Sequence, residues 1–359
     1  MPLIALFCCF FLSSIQAEQK PLKILHLTFH QGCVKEIAAI GKIFGHEVTT
    51  WWIPSLPPRF FDGTSQGNAL YNIGHERAER IWNLHKETFE QFDAVITSDT
   101  APLARIFLQN GFQKPLIVWI CCRFDYSDQQ SLDCDFPDPE FYQLFNQAYL
   151  QENVTIVAYT AFEHYYAEKK GVKTGNLIIT PCAPEPSSPP LVSFIPPTIC
   201  KEETFFLPPY LNETSFINLN EHCQTLGISS YLGRYNGPSD LKDFKGIIHL
   251  PYAWSNLALF ENIALGIPYF IPSPSFLKTL IMQKNYWHTN PTCILHENQI
   301  ALSEWYQPER EEIFIYFDSW EDLQEKIKTT DYPALREKIK SYAKHYQSIM
   351  LEKWSQIFM

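Results

Sequence analysis

Short apolar runs alternate with amphipathic segments along most of the chain. Residues 23–29 form an apolar run of strand length, and residues 34–44 place their apolar side chains on one helical face. A second apolar run follows at 47–53. The chain therefore opens as strand, loop, helix and strand, which is the order of a parallel β-α-β unit.

The same alternation continues through two halves of the chain. In the first half it predicts further strands at 93–98, 115–122, 154–159 and 177–180, and helices at 72–92, 103–110, 140–150 and 162–170. In the second half it predicts strands at 204–207, 230–233, 246–250, 268–271 and 312–317, and helices at 216–226, 256–265, 320–328 and 332–358. The predicted fold class is α/β, with two Rossmann-like domains.

A proline-rich stretch separates the two halves. Residues 181–197 contain seven prolines, a composition typical of a stiff, extended linker. We therefore predict an N-terminal Rossmann-like domain at 18–185, a linker at 186–203, a C-terminal Rossmann-like domain at 204–331 and a final helix at 332–359.

The first 17 residues carry no charged side chain, and they end in small and polar residues after a short apolar run. This pattern predicts a signal peptide, 1–17, and hence the secretory route, whether endomembrane lumen, periplasm or secretion. An uncleaved anchor is the alternative interpretation. No later segment is long and apolar enough to span a bilayer, so no stable membrane span is expected after signal removal.

Composition and charge exclude some classes of protein. The 359 residues are 46% hydrophobic, which excludes wholesale disorder. Lys and Arg number 28 against 39 Asp and Glu, a net charge of −11, so a nucleic-acid partner is not expected. The ten cysteines show neither Cys-x-x-Cys nor zinc-type Cys/His spacing, and no metal site is predicted.

Three polar residues follow predicted strands of the first half. Because parallel strands end at one edge of a sheet, we expect His30, Asp99 and Arg123 to lie along a cleft there. His30 is a candidate general base, and Asp99 is a candidate to take a proton from a hydroxyl. For each of the three, an ordinary structural role is the alternative.

The second half holds the fullest motif, a strand, loop, helix and strand over residues 246–271. Ser255 is placed to cap the helix, whose free amides would form an anion site suited to a diphosphate. Glu261 lies on that helix among apolar neighbours, where a carboxylate needs a partner or a ligand hydroxyl. A capping or surface role is the alternative for Glu261, and a core position is the alternative for His249.

The segment Glu261-Asn-Ile-Ala-Leu-Gly266-Ile-Pro268 resembles the donor-binding helix of GT-B glycosyltransferases. The resemblance implies that Glu261 binds the ribose of a nucleotide-sugar, while Ser255, Asn256 and Leu257 contact its phosphates. It also implies two Rossmann-like domains and a C-terminal helix that crosses back to the first domain.

The sequence departs from the family at two places. A Glu that many members carry eight residues before the ribose Glu is Ala253 here, and the loop 208–214 lacks the usual Arg and Lys. Arg234 or Lys242 could supply the missing charge. We therefore predict Arg234 as a further donor-binding residue. We predict His249 as another, with a role near the sugar.

These observations together predict a metal-independent glycosyltransferase. Its nucleotide-sugar would be a co-substrate, with no cofactor, and its acceptor a carbohydrate, lipid or protein. The alternatives are a secreted two-lobed ligand-binding protein, or an epimerase of nucleoside-diphosphate sugars or an inactive relative on the same fold. The pair Asp133 and Asp135 imitates an Asp-x-Asp metal motif but lies in a loop rich in Pro and Asp, so we assign it no role.

Overall fold

A computed structural model describes residues 20–64, 73–125, 138–182, 193–254, 256–283, 286 and 297–359. The predicted signal segment 1–17, the Asp133–Asp135 pair and part of the predicted linker lie outside the described residues. Within the described part of the chain, no helix is both long and apolar enough to cross a bilayer.

The first half folds around a five-stranded parallel sheet with the strand order β2-β1-β3-β4-β5. Its central strands are almost wholly buried because helices cover both faces of the sheet. The strands are β1 (Lys23–Thr28), β2 (Glu47–Trp52), β3 (Ala94–Asp99), β4 (Leu116–Ile120) and β5 (Val154–Ala158). The helices are α1 (Gln31–Phe44), α2 (His75–Phe89), α3 (Arg105–Leu108), α4 (Pro139–Ala148) and α5 (Ala161–Lys169).

The second half repeats the plan with a parallel sheet of order β10-β9-β8-β6-β7. The strands are β6 (Phe205–Leu207), β7 (Ser230–Leu232), β8 (Gly246–Ile248), β9 (Tyr269–Pro272) and β10 (Phe314–Phe317). The helices are α6 (Leu219–Thr225), α7 (Leu257–Ala264), α8 (Pro274–Gln283), α9 (Glu297–Ile300), α10 (Trp320–Thr329) and α11 (Tyr332–Phe358).

One continuous apolar core joins the two sheets. It contains Trp119 of β4, Phe206 of β6 and Leu259 of α7, and helix α11 contributes Trp354 and Phe358. Two further apolar clusters cover the outer faces, one on the first sheet and one on the second. The rings of Phe162 and Trp254 add a stacked contact between the halves, with their centroids 3.9 Å apart.

Helix α11 begins beside the second sheet and ends against the first. Its Arg336 donates to the carbonyl of Lys242 at 3.2 Å, and near its other end Lys353 donates to the carbonyl of Ile178 at 2.8 Å. The rings of Trp354 and Trp119 meet edge-on at 5.8 Å. The predicted α/β fold class, with two Rossmann-like domains and a returning helix, is confirmed.

Three local predictions are corrected. The strand predicted at 177–180 is reduced to a single bridge between Ala158 and Ile178. The helix predicted from 216 begins at Leu219, after a π-helical turn at Asn212–Phe216. Helix α7 begins at Leu257 because Asn256, and not Ser255, caps it; the Asn256 side chain accepts from the amide of Ala258 at 3.0 Å.

Candidate active-site cleft

Helix α1 of the first half and helix α7 of the second half face each other across the cleft. Gly32, in the first turn of α1, allows a close approach, since a Cβ at that position would lie 2.9 Å from Cδ1 of Leu257. The carboxyl ends of β1 and β3 open on the same space. Side chains from both sheets therefore meet here, as expected for parallel sheets.

His30 follows β1 and caps α1. Its Nδ1 accepts a hydrogen bond from the amide of Gly32 at 3.0 Å. A hydrogen bond with Cys33 raises the pKa of His30 against the effect of burial, and the nearby acidic groups of Asp99 and Glu261 raise it further. His30 therefore interacts electrostatically with one acid on each side of the cleft, Asp99 in the first half and Glu261 in the second.

Asp99 is the last residue of β3 and has a left-handed backbone, with φ at 76°. Its carbonyl accepts from the amide of Cys121 at 3.1 Å and from Sγ of Cys122 at 3.1 Å. Burial raises the pKa of the Asp99 carboxyl to about 7, with Cys33 adding to the effect and His30 opposing it. Asp99 is therefore poised to exchange a proton near neutral pH.

Glu261 lies on α7 and is partly buried. Burial raises its pKa, while the positive charges of Lys35 and His30, both from the first half, act against that rise. These interactions mean that the Glu261 carboxylate faces helix α1 across the cleft. Glu261, His30 and Asp99 are the predicted site residues that the fold brings together.

The other predicted residues lie further from this group or outside the description. Arg123 is buried after β4, where its charge acts on the Cys122 thiol. Arg234 is exposed in the turn after the edge strand β7. Lys242 lines a surface groove with Glu202 and Arg336. Ser255 lies outside the described residues.

A narrow cavity opens beside the start of α7, at the carboxyl edge of the second sheet. Its described lining contains no Lys, Arg, Asp or Glu, so His249 is the one lining residue there that can carry a positive charge. The lining residues are Phe206, Pro208, Tyr210, Tyr235, Leu241, Ile247, His249, Asn256, Ala258, Asn262 and Tyr269. The predicted residues His249 and Asn256 thus share one cavity.

The sequence did not single out Cys33 or Glu213. Cys33 is buried in the first turn of α1, with its Sγ 3.8 Å from Sγ of Cys121. Glu213 is wholly buried and its Oε1 lies 2.7 Å from Nδ1 of His249. The sequence signal for both is weak, because Cys121 and His249 are distant from them along the chain. The described residues contain no cluster of three or more side chains able to hold a metal ion.

No protein-family model and no curated protein matches this sequence. Solved structures do match. The spinosyn forosaminyltransferase SpnP is 12% identical, with a TM-score of 0.49, over 91% of this chain and 95% of that one. Arabidopsis thaliana UGT89C1 complexed with quercetin is 10% identical, with a TM-score of 0.44, over 95% and 100%. The glycosyltransferase SnogD from Streptomyces nogalater is 11% identical, with a TM-score of 0.41, over 93% and 100%.

Proposed function

We propose that this protein is a glycosyltransferase that moves a sugar from a nucleoside-diphosphate sugar to an acceptor hydroxyl. The observation that carries the proposal is the electrostatic interaction of His30, after β1, with both Glu261 on α7 and Asp99 at the end of β3. The partly buried carboxylate of Glu261, on one wall of the cleft, suits the hydroxyls of a ribose, because they would donate hydrogen bonds to it. On the other wall, the Asp99 carboxyl, whose pKa burial raises to about 7, suits proton transfer.

On the donor side, Glu261 accepts hydrogen bonds from the ribose. The start of α7, with Ser255, Asn256 and Leu257, faces the diphosphate, where the helix dipole favours negative charge. Asn256 supports this role because its side chain organises the first turn of the helix. His249 and Arg234 complete the proposed donor set, His249 within the adjacent cavity and Arg234 at its exposed turn.

On the acceptor side, the hydrogen bonding supports different proposed roles for His30 and Asp99. Since Nδ1 of His30 accepts from the Gly32 amide, a neutral His30 carries its proton on Nε2. A protonated His30 carries one there too, so in both states Nε2 is a donor. Asp99 is therefore the general base, and His30 orients the acceptor oxygen or a departing phosphate oxygen, with Arg123 the third predicted acceptor-side residue.

In the reaction, the acceptor oxygen forms a bond to the anomeric carbon while the bond from that carbon to the diphosphate breaks. Asp99 takes the hydroxyl proton, and the nucleoside diphosphate leaves with the bonding electrons. Positive potential at the start of α7 stabilises the leaving group as its charge grows. The close packing of α1 on α7 helps to exclude water, which would otherwise hydrolyse the donor.

The proposal predicts that the full chain binds a nucleoside diphosphate through Glu261. We expect Glu261→Gln to weaken binding by about ten- to a hundredfold, or roughly 1.5–3 kcal/mol, because a charged hydrogen-bond acceptor is lost. The measurement is calorimetric titration with UDP, GDP and ADP. Glu152→Gln, at an exposed turn, is the matched control and should bind like the wild type.

Three outcomes would count against the proposal. Binding of none of the three nucleotides to the wild type would reject the donor site. Binding that Glu261→Gln leaves unchanged would reject the role of Glu261. If the nucleotide binds but no sugar is released from a panel of nucleotide-sugars, an inactive relative or a two-lobed binding protein becomes the better description.

A further inference from the structure

A buried acid–imidazole pair lies at the carboxyl edge of the second sheet. Glu213 comes from the π-helical turn after β6, and His249 follows β8 directly. Oε1 of Glu213 accepts from Nδ1 of His249 at 2.7 Å and from the amide of Leu250 at 2.8 Å. Both side chains are almost fully inaccessible, with exposed fractions of 0% and 1%. Burying such a pair is costly unless each remaining polar atom finds a partner.

The remaining polar atoms of the pair are not satisfied within the described chain. Nε2 of His249 and Oε2 of Glu213 are buried, and neither forms a hydrogen bond with a described residue. His249 also lines the narrow cavity beside the start of α7. A buried donor or acceptor without a partner costs about 1–3 kcal/mol, so a ligand that supplied the partner would recover that free energy.

The charge of the cavity suggests what that ligand is. The loop 208–214 has no Arg or Lys, and neither Arg234 nor Lys242 lines the cavity. His249 is consequently the source of positive charge among the described lining residues. An imidazolium whose Nδ1–H is taken up by a carboxylate presents one directed N–H at Nε2, which suits a phosphate oxygen.

We propose that Glu213 is a positioning residue for anion binding, which holds His249 so that its Nε2–H donates to a phosphate group of a nucleoside diphosphate. This inference rests on the proposed function and adds Glu213 to it. The carboxylate fixes the ring orientation and stabilises a positive charge on the ring. Removal of the negative charge of Glu213 should weaken binding although Glu213 itself never touches the ligand.

The inference has a consequence for affinity. Glu213→Gln keeps an oxygen that can accept from Nδ1 of His249 but removes the negative charge beside the ring. It should weaken binding of a nucleoside diphosphate at pH 7 by about five- to thirtyfold. Binding of the corresponding nucleoside, which has no phosphate group, should be unchanged.

Other titratable groups surround the ring. The rings of Tyr210 and Tyr252 lie 6.0 Å and 6.1 Å from that of His249, and burial raises the pKa of both phenols, which stay neutral at pH 7. Tyr269, also on the cavity wall, has a pKa raised by burial as well. Trp305 packs at 4.9 Å and is preceded by Glu304, whose pKa burial raises well above its usual value. The effect of Glu304 on His249 must therefore be distinguished from the effect of Glu213.

The test is calorimetric titration of the full chain at pH 7 with UDP, GDP and ADP and with the three matching nucleosides. The variants are Glu213→Gln, the matched Glu304→Gln, and His249→Gln. We expect Glu213→Gln and His249→Gln to weaken binding of the diphosphate and to leave binding of the nucleoside unchanged, and Glu304→Gln to change neither. Should Glu213→Gln fail to fold, Glu213→Asp, which keeps the charge on a shorter side chain, replaces it and should weaken diphosphate binding alone.

Three results would reject Glu213 while the proposed function stands. The first is diphosphate binding that is equal in the wild type and Glu213→Gln. The second is a loss in Glu213→Gln that is equally large for the nucleoside, and the third is an equal loss in Glu304→Gln. If the wild type binds no nucleotide, the proposed function fails, and this inference fails with it.

Discussion

Asp99 holds a backbone conformation that most residues avoid. A φ of 76° is uncommon outside glycine, although Asp and Asn adopt it more readily than other side chains. The conformation is held by two bonds to its carbonyl, from Cys121 and Cys122, and it turns the chain at the end of β3 into the cleft. Backbone strain that the surrounding structure maintains is a feature of functional sites.

The raised pKa of Asp99 makes a prediction about stability. The unfolded chain loses this proton near pH 4, but the folded protein holds it to about 7, so the ionisation costs stability as pH rises between these values. Asp99→Asn keeps the shape and the left-handed backbone without the charge. We expect it to be more stable than the wild type by about 1–3 kcal/mol at pH 8, with little difference at pH 4.

Urea unfolding at both pH values measures this effect, and Asp318→Asn at an exposed position is the control. In the same variant, sugar release from a nucleotide-sugar should fall by about a hundredfold or more, because the base is lost. An Asp99→Asn variant that keeps full turnover would assign proton transfer to another group.

Sequence reasoning reached some site residues and missed others for a physical reason. His30 and Asp99 could be predicted because strand ends in a parallel sheet share an edge. Glu261 could be predicted because the motif that contains it resembles a known donor-binding helix. Cys33 and Glu213 could not be predicted, because their importance comes from partners at Cys121 and His249, and no local pattern encodes such tertiary contacts.

At the scale of elements, helix α1 packs closely on β2 at Gly41, which has no side chain. A Cβ on Gly41 would lie 2.3 Å from Cγ2 of Val48. Gly41→Ala should therefore destabilise the protein by about 1–3 kcal/mol through overpacking, even though Ala favours the helix by about 1 kcal/mol. Val48→Ala in the same chain should restore part of the loss. Chemical denaturation of the single and double variants is the measurement, and a Gly41→Ala variant more stable than the wild type would contradict it.

The alternation of strands and helices was predictable because hydrophobic periodicity differs between them. Helix α8 was not predicted, since its sequence opens with Pro274 after another proline at 272, a pattern that reads as a break. Proline is in fact well suited to the first position of a helix, where its missing N–H has no partner to lose. The strand predicted at 177–180 was wrong for a different reason. Apolar residues there are buried, but they pair with the sheet only through one bridge and do not extend it.

At the scale of the whole molecule, the shared core predicts cooperative unfolding. Trp354 is fully buried against the first sheet, although its helix begins at the second. Trp354→Ala should cost about 3–5 kcal/mol and separate one calorimetric transition into two, because the coupling of the halves is weakened. Trp320→Ala, which removes a ring from the outer face of the second sheet alone, is the control.

Trp320→Ala should lower the transition temperature without dividing the single calorimetric transition into two. A single transition in Trp354→Ala would mean that the remaining contacts, such as the stack of Phe162 on Trp254, couple the halves without help from α11.

Helix α11 also constrains the order in which the protein can be completed on the ribosome. The strands of the first sheet are all synthesised by residue 158, but Trp354, which covers part of that sheet, follows about 200 residues later. At typical rates of synthesis the delay is roughly 10–40 s. During that interval the nascent first half presents an uncovered apolar surface, and this surface is where we expect a chaperone to bind.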